Sequence, residues 1–216
     1  MYSFLDNQFI KILEEKFQLR SQEHLSEMGW NTIAKTSFAD EVLEVYHNLG
    51  GVQKLPIIRL PKKFILLENE VVLMLDEGLH FNRYRLQTFR SDFYHDLEDY
   101  PIEVYRNFCR KYEKECLKSG LAGKGWTFPF AEKHFGTPEE RGFFSNNGAP
   151  AWKLRAFEDF LIDVCLHHNK KKFLRIPVYQ QLMLNRKLIK INDILTAGDE
   201  EQRNAFLNYI ERKASS

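Results

Sequence analysis

Val71-Val72-Leu73-Met74-Leu75-Asp76-Glu77-Gly78-Leu79-His80 is the stretch that decides how this chain folds. Its first five residues are apolar without alternation, the pattern of a strand covered on both faces. Two adjacent carboxylates, a glycine and a histidine follow at once. A buried strand that runs straight into acids carries them at its carboxyl end, where open sheets expose reactive groups.

Upstream, residues 64–67 and 71–75 read as two strands of a tight hairpin across Glu68-Asn69-Glu70, with residues 55–60 as a third strand before them. Residues 38–49 read as a helix with Ser37 as N-cap, Asp40 and Glu41 in its first turns and Gly50-Gly51 as its stop. Phe4, Leu5, Phe9, Ile10, Leu13 and Phe17 recur at helical spacing, which predicts an amphipathic helix over 3–19. Downstream, 82–118 reads as helical with a break at Tyr100-Pro101, because proline starts a helix and its predecessor avoids the α region. Residues 119–150 read as a long loop and 151–168 as a helix. A strand follows over 173–178, then a strand or hairpin near 188–191 and a helix over 199–212. The expected fold is mixed α/β, of the α+β kind: helix, three strands, helix, strand, with a helical insertion after the central strand.

At 216 residues one domain is the default. Within a single domain 1–216, residues 1–36 form an N-terminal helical extension, 37–78 and 151–195 the core, 79–150 the insertion and 196–216 the C-terminal helix. A composition 44% hydrophobic and 28% charged excludes disorder. The net charge of +1 demands no polyanionic partner, but it is segregated: residues 151–190 carry nine Lys/Arg against three acids, and residues 1–50 four against eight. Cys109, Cys116 and Cys165 are odd in number and lack a CxxC spacing, so neither a disulfide framework nor zinc is indicated. With no signal-peptide pattern and no apolar run of spanning length, the expectation is a cytoplasmic protein without a membrane partner.

Asp76 and Glu77, with His80 close behind, could hold a divalent cation, and Glu41 or Glu44 could join from the preceding helix. The plainer alternative is a polar strand exit, turned by Gly78, with His80 satisfied by backbone. In Phe81-Asn82-Arg83-Tyr84-Arg85, guanidinium groups interleave with rings, which suits phosphate contacts and base stacking; the alternative is a helix start with solvated arginines. Trp152-Lys153-Leu154-Arg155 opens the long helix, where free amides and two cations could receive a phosphate, or where a core tryptophan merely carries exposed neighbours.

This arrangement resembles the PD-(D/E)XK nuclease superfamily, especially its very-short-patch-repair endonuclease relatives. Residues 71–81 look like their central strand, written as acid, one residue, acid, then Gln-His, and Phe173-Leu174-Arg175-Ile176-Pro177 looks like their strand with a Leu-Arg pair. More closely, the chain resembles an uncharacterised bacterial family with an Asp-Glu-x-Gln-His-Phe motif, a following Arg/Tyr cluster and a Gly-Ala-Pro-x-Trp-Lys motif, here Gly148 to Lys153. The resemblance implies Mg2+ or Mn2+ held by Asp76 with Glu77 or Glu41. It also implies roles for His80 and Lys153 in catalysis, Lys153 replacing a missing strand lysine, and contacts from Arg83, Arg85, Arg155 and Arg175 to DNA or RNA. Three positions depart from the pattern: Met74 stands where the first acid belongs, Leu79 where the glutamine belongs, and Pro61-Lys62 where a proline-acid pair belongs, with Glu68 the nearest other acid. The expectation is a metal-dependent nuclease-like protein acting on nucleic acid, open to catalytic decay. The alternative is a non-catalytic nucleic-acid-binding module, or a protein-interaction module of a bacterial defence system with Trp126, Phe128 and Phe130 as its docking patch.

Overall fold

The computed structural model describes residues 3–20, 28–58, 60, 64–97, 100–121 and 125–215. The chain forms two compact units, one from Met1–Ser26, Lys62–Glu77 and Lys170–Ser216, the other from Glu27–Pro61 and Gly78–Asn169. Elements are numbered in chain order.

The first unit holds a four-stranded sheet in the order β1 (Leu19–Arg20), β2 (Ile65–Leu67), β3 (Val72–Asp76), β4 (Phe173–Pro177). The expected hairpin forms, β2 pairing antiparallel with β3 so that Ile65 faces Leu73. β3 is buried at all five positions, as its unbroken apolar run requires. β4 lies beside it in parallel, with Leu75 opposite Ile176.

One expectation fails here. Residues 55–58 are not a strand: Ile57 N donates to Leu55 O (3.0 Å) and Ile58 N to Pro56 O (2.8 Å), local turns that use up the groups a ladder needs. Leu19–Arg20 fills that place in the meander, pairing antiparallel with β2. The predicted order of helix, three strands, helix, strand is altered accordingly.

The helix expected over 3–19 is shorter for the same reason. α1 (Phe4–Glu14) starts in a capping box, Ser3 Oγ accepting from Asp6 N (2.9 Å) and Asp6 Oδ2 from Ser3 N (2.8 Å). It stops at Glu14, which releases the chain into β1. After β4 come β5 (Gln181–Leu184) and β6 (Lys187–Lys190), a separate antiparallel ribbon, then α9 (Ile191–Ala197) and α10 (Glu200–Ser215). α1 packs on α9 and α10, with Phe9 and Phe206 rings 5.9 Å apart.

The second unit is helical. Its axis is α8 (Pro150–His168), buried on nearly every side, its charged residues Lys153, Asp159 and Asp163 included. α4 (Arg83–Thr88) and α7 (Pro129–Phe135) pack against it. So do the short α2 (Trp30–Ile33) and α3 (Ala39–Asn48). α5 (Ile102–Lys111) begins after Pro101, as expected, and α6 (Glu113–Gly120) follows. Ser37 does not cap α3; Phe38 holds the N-cap position, and Thr36 Oγ1 accepts from Phe38 N at 3.2 Å. The stop is as read: Gly50, at φ +88°, sits where side chains are strained. α7 corrects the expected loop over 119–150. Pro129 in its first turn and Gly136 at its end are helix signals, outweighed in the sequence by surrounding glycines and asparagines. Among the described residues no helix is long and apolar enough to cross a membrane.

Candidate functional site

In the first unit, Asp76 ends β3 and Arg175 sits mid-β4, opposite Met74. Side chains two apart share a face of a strand, so Met74, Asp76 and Arg175 project from the same face of the sheet. Arg175 Nη1 donates to Asp76 Oδ1 at 2.7 Å, with the two side chains 1% and 2% exposed. Arg175 was expected at a phosphate; it is instead an internal counter-ion to the strand-end acid. Glu77 beside it is half-buried.

Glu41, expected at the metal, lies in the second unit and is committed there. It accepts from Phe93 N at 2.6 Å and from Ser91 Oγ, fixing the start of a 3-10 turn over Asp92–Asp96. Glu44 accepts a long 3.4 Å bond from Asn48 Nδ2. Both acids line a cleft of about 530 Å³ with Asp40, Asn48, Gln87 and Arg90.

His80 closes a 3-10 turn, Gly78–His80, also in the second unit. Its Nδ1 lies 2.7 Å from Asp159 Oδ2. A carboxylate only accepts, so Nδ1 carries the proton and Asp159 fixes tautomer and ring orientation. Asp159 was not found from the sequence. The available signal was a pair of acids, Asp159 and Asp163, spaced i, i+4 on a helix whose neighbouring positions 160–162 and 164–166 are apolar.

Arg85 lies behind this pair and is buried, 1% exposed, against Asp163 at 0%. Its Nη2 donates to Asp163 Oδ2 (2.9 Å) and Tyr100 Oη (2.9 Å), and its Nη1 to Tyr94 Oη (2.8 Å). Tyr94 Oη donates to Asp163 Oδ2 at 2.7 Å, and Arg85 Nε lies 4.0 Å from Asp159 Oδ2. Expected at nucleic acid, Arg85 instead neutralises two buried carboxylates and ties α4 to α8.

The remaining basic candidates differ. Arg83 is bidentate to Glu113 (2.8 and 3.0 Å) and stacks 3.9 Å over Phe144. Lys153 is buried; Nζ donates to Asn147 Oδ1 (2.7 Å) and lies 5.5 Å over the Tyr84 ring. Burial holds its ammonium below the usual lysine range. The α8 amides expected to meet a phosphate are taken, Ala151 N by Trp126 O and Lys153 N by Ala149 O. Arg155 is half-buried on α8. One turn on, burial pushes Glu158 up to about 8, with Asp159 adding to the rise and Arg155 opposing it. The suggested docking patch is not one surface: Trp126 is buried, its ring 5.7 Å from Trp152 and its Nε1 donating to Glu139 O (2.9 Å), whereas Phe130 is exposed.

Of the carboxylates expected to hold Mg2+, Asp76 and Glu41 already have partners. Such an ion takes near-octahedral oxygen ligands, and here Arg175 already matches Asp76 while Glu41 serves Ser91 and Phe93. Pro61-Lys62, where the family pattern has its proline-acid pair, lies outside the described residues.

Residues 44–197 match the model of a family of unknown function, DUF7255, and the chain belongs to that family. No curated protein and no solved structure is significantly similar to it.

Proposed function

We propose that this DUF7255 member is a nuclease-like protein that binds nucleic acid and has given up the metal-dependent chemistry of the nucleases it resembles. One observation supports this above the others: the buried Arg175 guanidinium 2.7 Å from Asp76. A fixed cation there supplies the positive charge that a divalent ion would bring, and Met74, on the same sheet face, supplies no second carboxylate. A divalent ion would have to displace a charge-assisted bond in a dry setting. The test is calorimetry with Mg2+ and Mn2+ on wild type and Asp76→Ala, beside a cleavage screen on DNA and RNA. The expected result is no cation binding dependent on Asp76, no turnover, and salt-sensitive nucleic-acid affinity. Cation-dependent cleavage lost in Asp76→Ala would overturn it.

A hydrolytic role is favoured by a different observation, the His80–Asp159 pair. A carboxylate that orients an imidazole is the arrangement used by general bases. In that case cleavage survives Asp76→Ala and disappears in both His80→Ala and Asp159→Asn.

A further inference from the structure

Residues 170–190 contain seven Lys/Arg and no Asp or Glu. Two of these cations, Arg186 and Lys187, lie at the turn of the β5–β6 ribbon, and both are exposed. The turn is a two-residue one: Leu184 pairs with Lys187, and Asn185 and Arg186 between them have φ +49° and +62°. That is the primed geometry that continues the strand twist and makes a tight tip. Neither Arg186 nor Lys187 forms an ion pair among the described residues, and the nearby Glu201 accepts from Asn185 Nδ2 at 2.9 Å.

The ribbon has two faces. Period-2 alternation sets the opposed pairs Leu182–Ile189 and Leu184–Lys187 on one of them, Lys187 being exposed at the end next to the turn, and β5 packs on α10 and β6 on α9. The other face carries Gln181 opposite Lys190 and Met183 opposite Leu188. Met183 is 67% and Leu188 56% exposed. A directly opposed aliphatic pair in water, flanked by an amide and an ammonium, with Arg186 and Lys187 exposed at the adjoining turn, is a poor solvent face but a good groove reader. Glutamine reads adenine edges, lysine reads guanine, and aliphatic groups meet the thymine methyl.

From this we infer that the β5–β6 ribbon is the nucleic-acid contact of the protein: its outer face enters the major groove of duplex DNA, and Arg186 and Lys187 hold the flanking phosphates. The inference rests on the nucleic-acid reading above and assigns it a surface. The dimensions agree. Two strands about 4.8 Å apart with their side chains fill a B-form major groove about 12 Å wide, and four residues span about 14 Å. The deep, narrow major groove of A-form RNA does not admit such a ribbon.

The experiment is fluorescence anisotropy with labelled duplex DNA from 50 to 300 mM salt. It compares wild type, Arg186→Ala/Lys187→Ala and Met183→Ser/Leu188→Ser, each checked for native circular dichroism, with an RNA duplex of the same sequence as competitor. Losing two phosphate contacts should lower the slope of log K against log salt by about 2 and weaken binding roughly fiftyfold at 0.1 M salt. The aliphatic variant should weaken binding with the slope unchanged. If wild type binds DNA with a salt slope and the charge variant keeps both affinity and slope, the ribbon assignment is overturned and the nucleic-acid reading survives. Wild type that binds no nucleic acid at 50 mM salt overturns both. Equal competition by RNA overturns the groove assignment.

Discussion

Asp76 and Arg175, at 2% and 1% exposure, each depend on the other as counter-ion, because an isolated buried charge costs several kcal/mol. Arg175→Met is therefore expected to lower stability by about 3–5 kcal/mol, measured by urea denaturation. The paired change Asp76→Leu/Arg175→Met should recover most of that loss, since it removes both charges together. Glu158 gives a prediction in pH. Its carboxyl rises from 4.5 to about 8 on folding, so between these values the native state holds a proton that the unfolded chain has lost. Stability thus falls as pH rises through that window, and Glu158→Gln should flatten the fall. His134 has the opposite sense. Burial lowers its pKa, its Nε2 is buried without a partner, and its Nδ1 is 3.3 Å from Tyr46 Oη. The unfolded chain protonates first, so stability falls as pH drops below about 6.5, and His134→Phe should remove that acid sensitivity. At this scale the sequence was a partial guide. Asp76 and His80 were legible because a strand run points at them. Arg85 and Arg175 were not, because an arginine is written the same way whether it faces solvent or a buried acid. Their partners lie 78 and 99 residues away.

Elements were easiest to read where periodicity and local chemistry agreed. The hairpin of β2 and β3 and the helix α8 were legible because tight turns and apolar runs are short-range signals. Residues 55–60 misled because Leu55, Ile57 and Leu60 have strand-like composition, yet Leu55 and Ile57 are exposed and the backbone bonds to itself. β1, two residues long, is too short to carry a period at all; its place is set by the partner strand. The β5–β6 turn offers an element-level test. Arg186 occupies a left-handed conformation at φ +62°, where glycine is better by about 1 kcal/mol. Arg186→Gly makes the Asn-Gly turn that such hairpins favour, so its melting temperature should rise by a few degrees in a scanning calorimeter. A stabilised variant that binds DNA more weakly would separate the residue's charge from its contribution to folding.

At the scale of the molecule, the chain leaves the first unit and returns to it twice. β3 and β4 are adjacent and parallel, yet some ninety residues, nearly all in the second unit, lie between them. The sheet cannot close until that length of chain is gathered in, so folding should be slow for the size of the protein. The order and periodicity of the elements made the α+β class legible, but no stretch of sequence announces the division into units, because it depends on which distant segments pair. The division also gives each unit a different optical identity. Trp30, Trp126 and Trp152, the three tryptophans of the chain, all belong to the second unit. Tryptophan emission is therefore a private reporter of that unit, whereas the peptide circular dichroism of the β-sheet belongs to the first. If the two signals separate along a denaturant titration, each unit has its own stability. If they superimpose, the repeated passage of one chain through both has made them a single cooperative body.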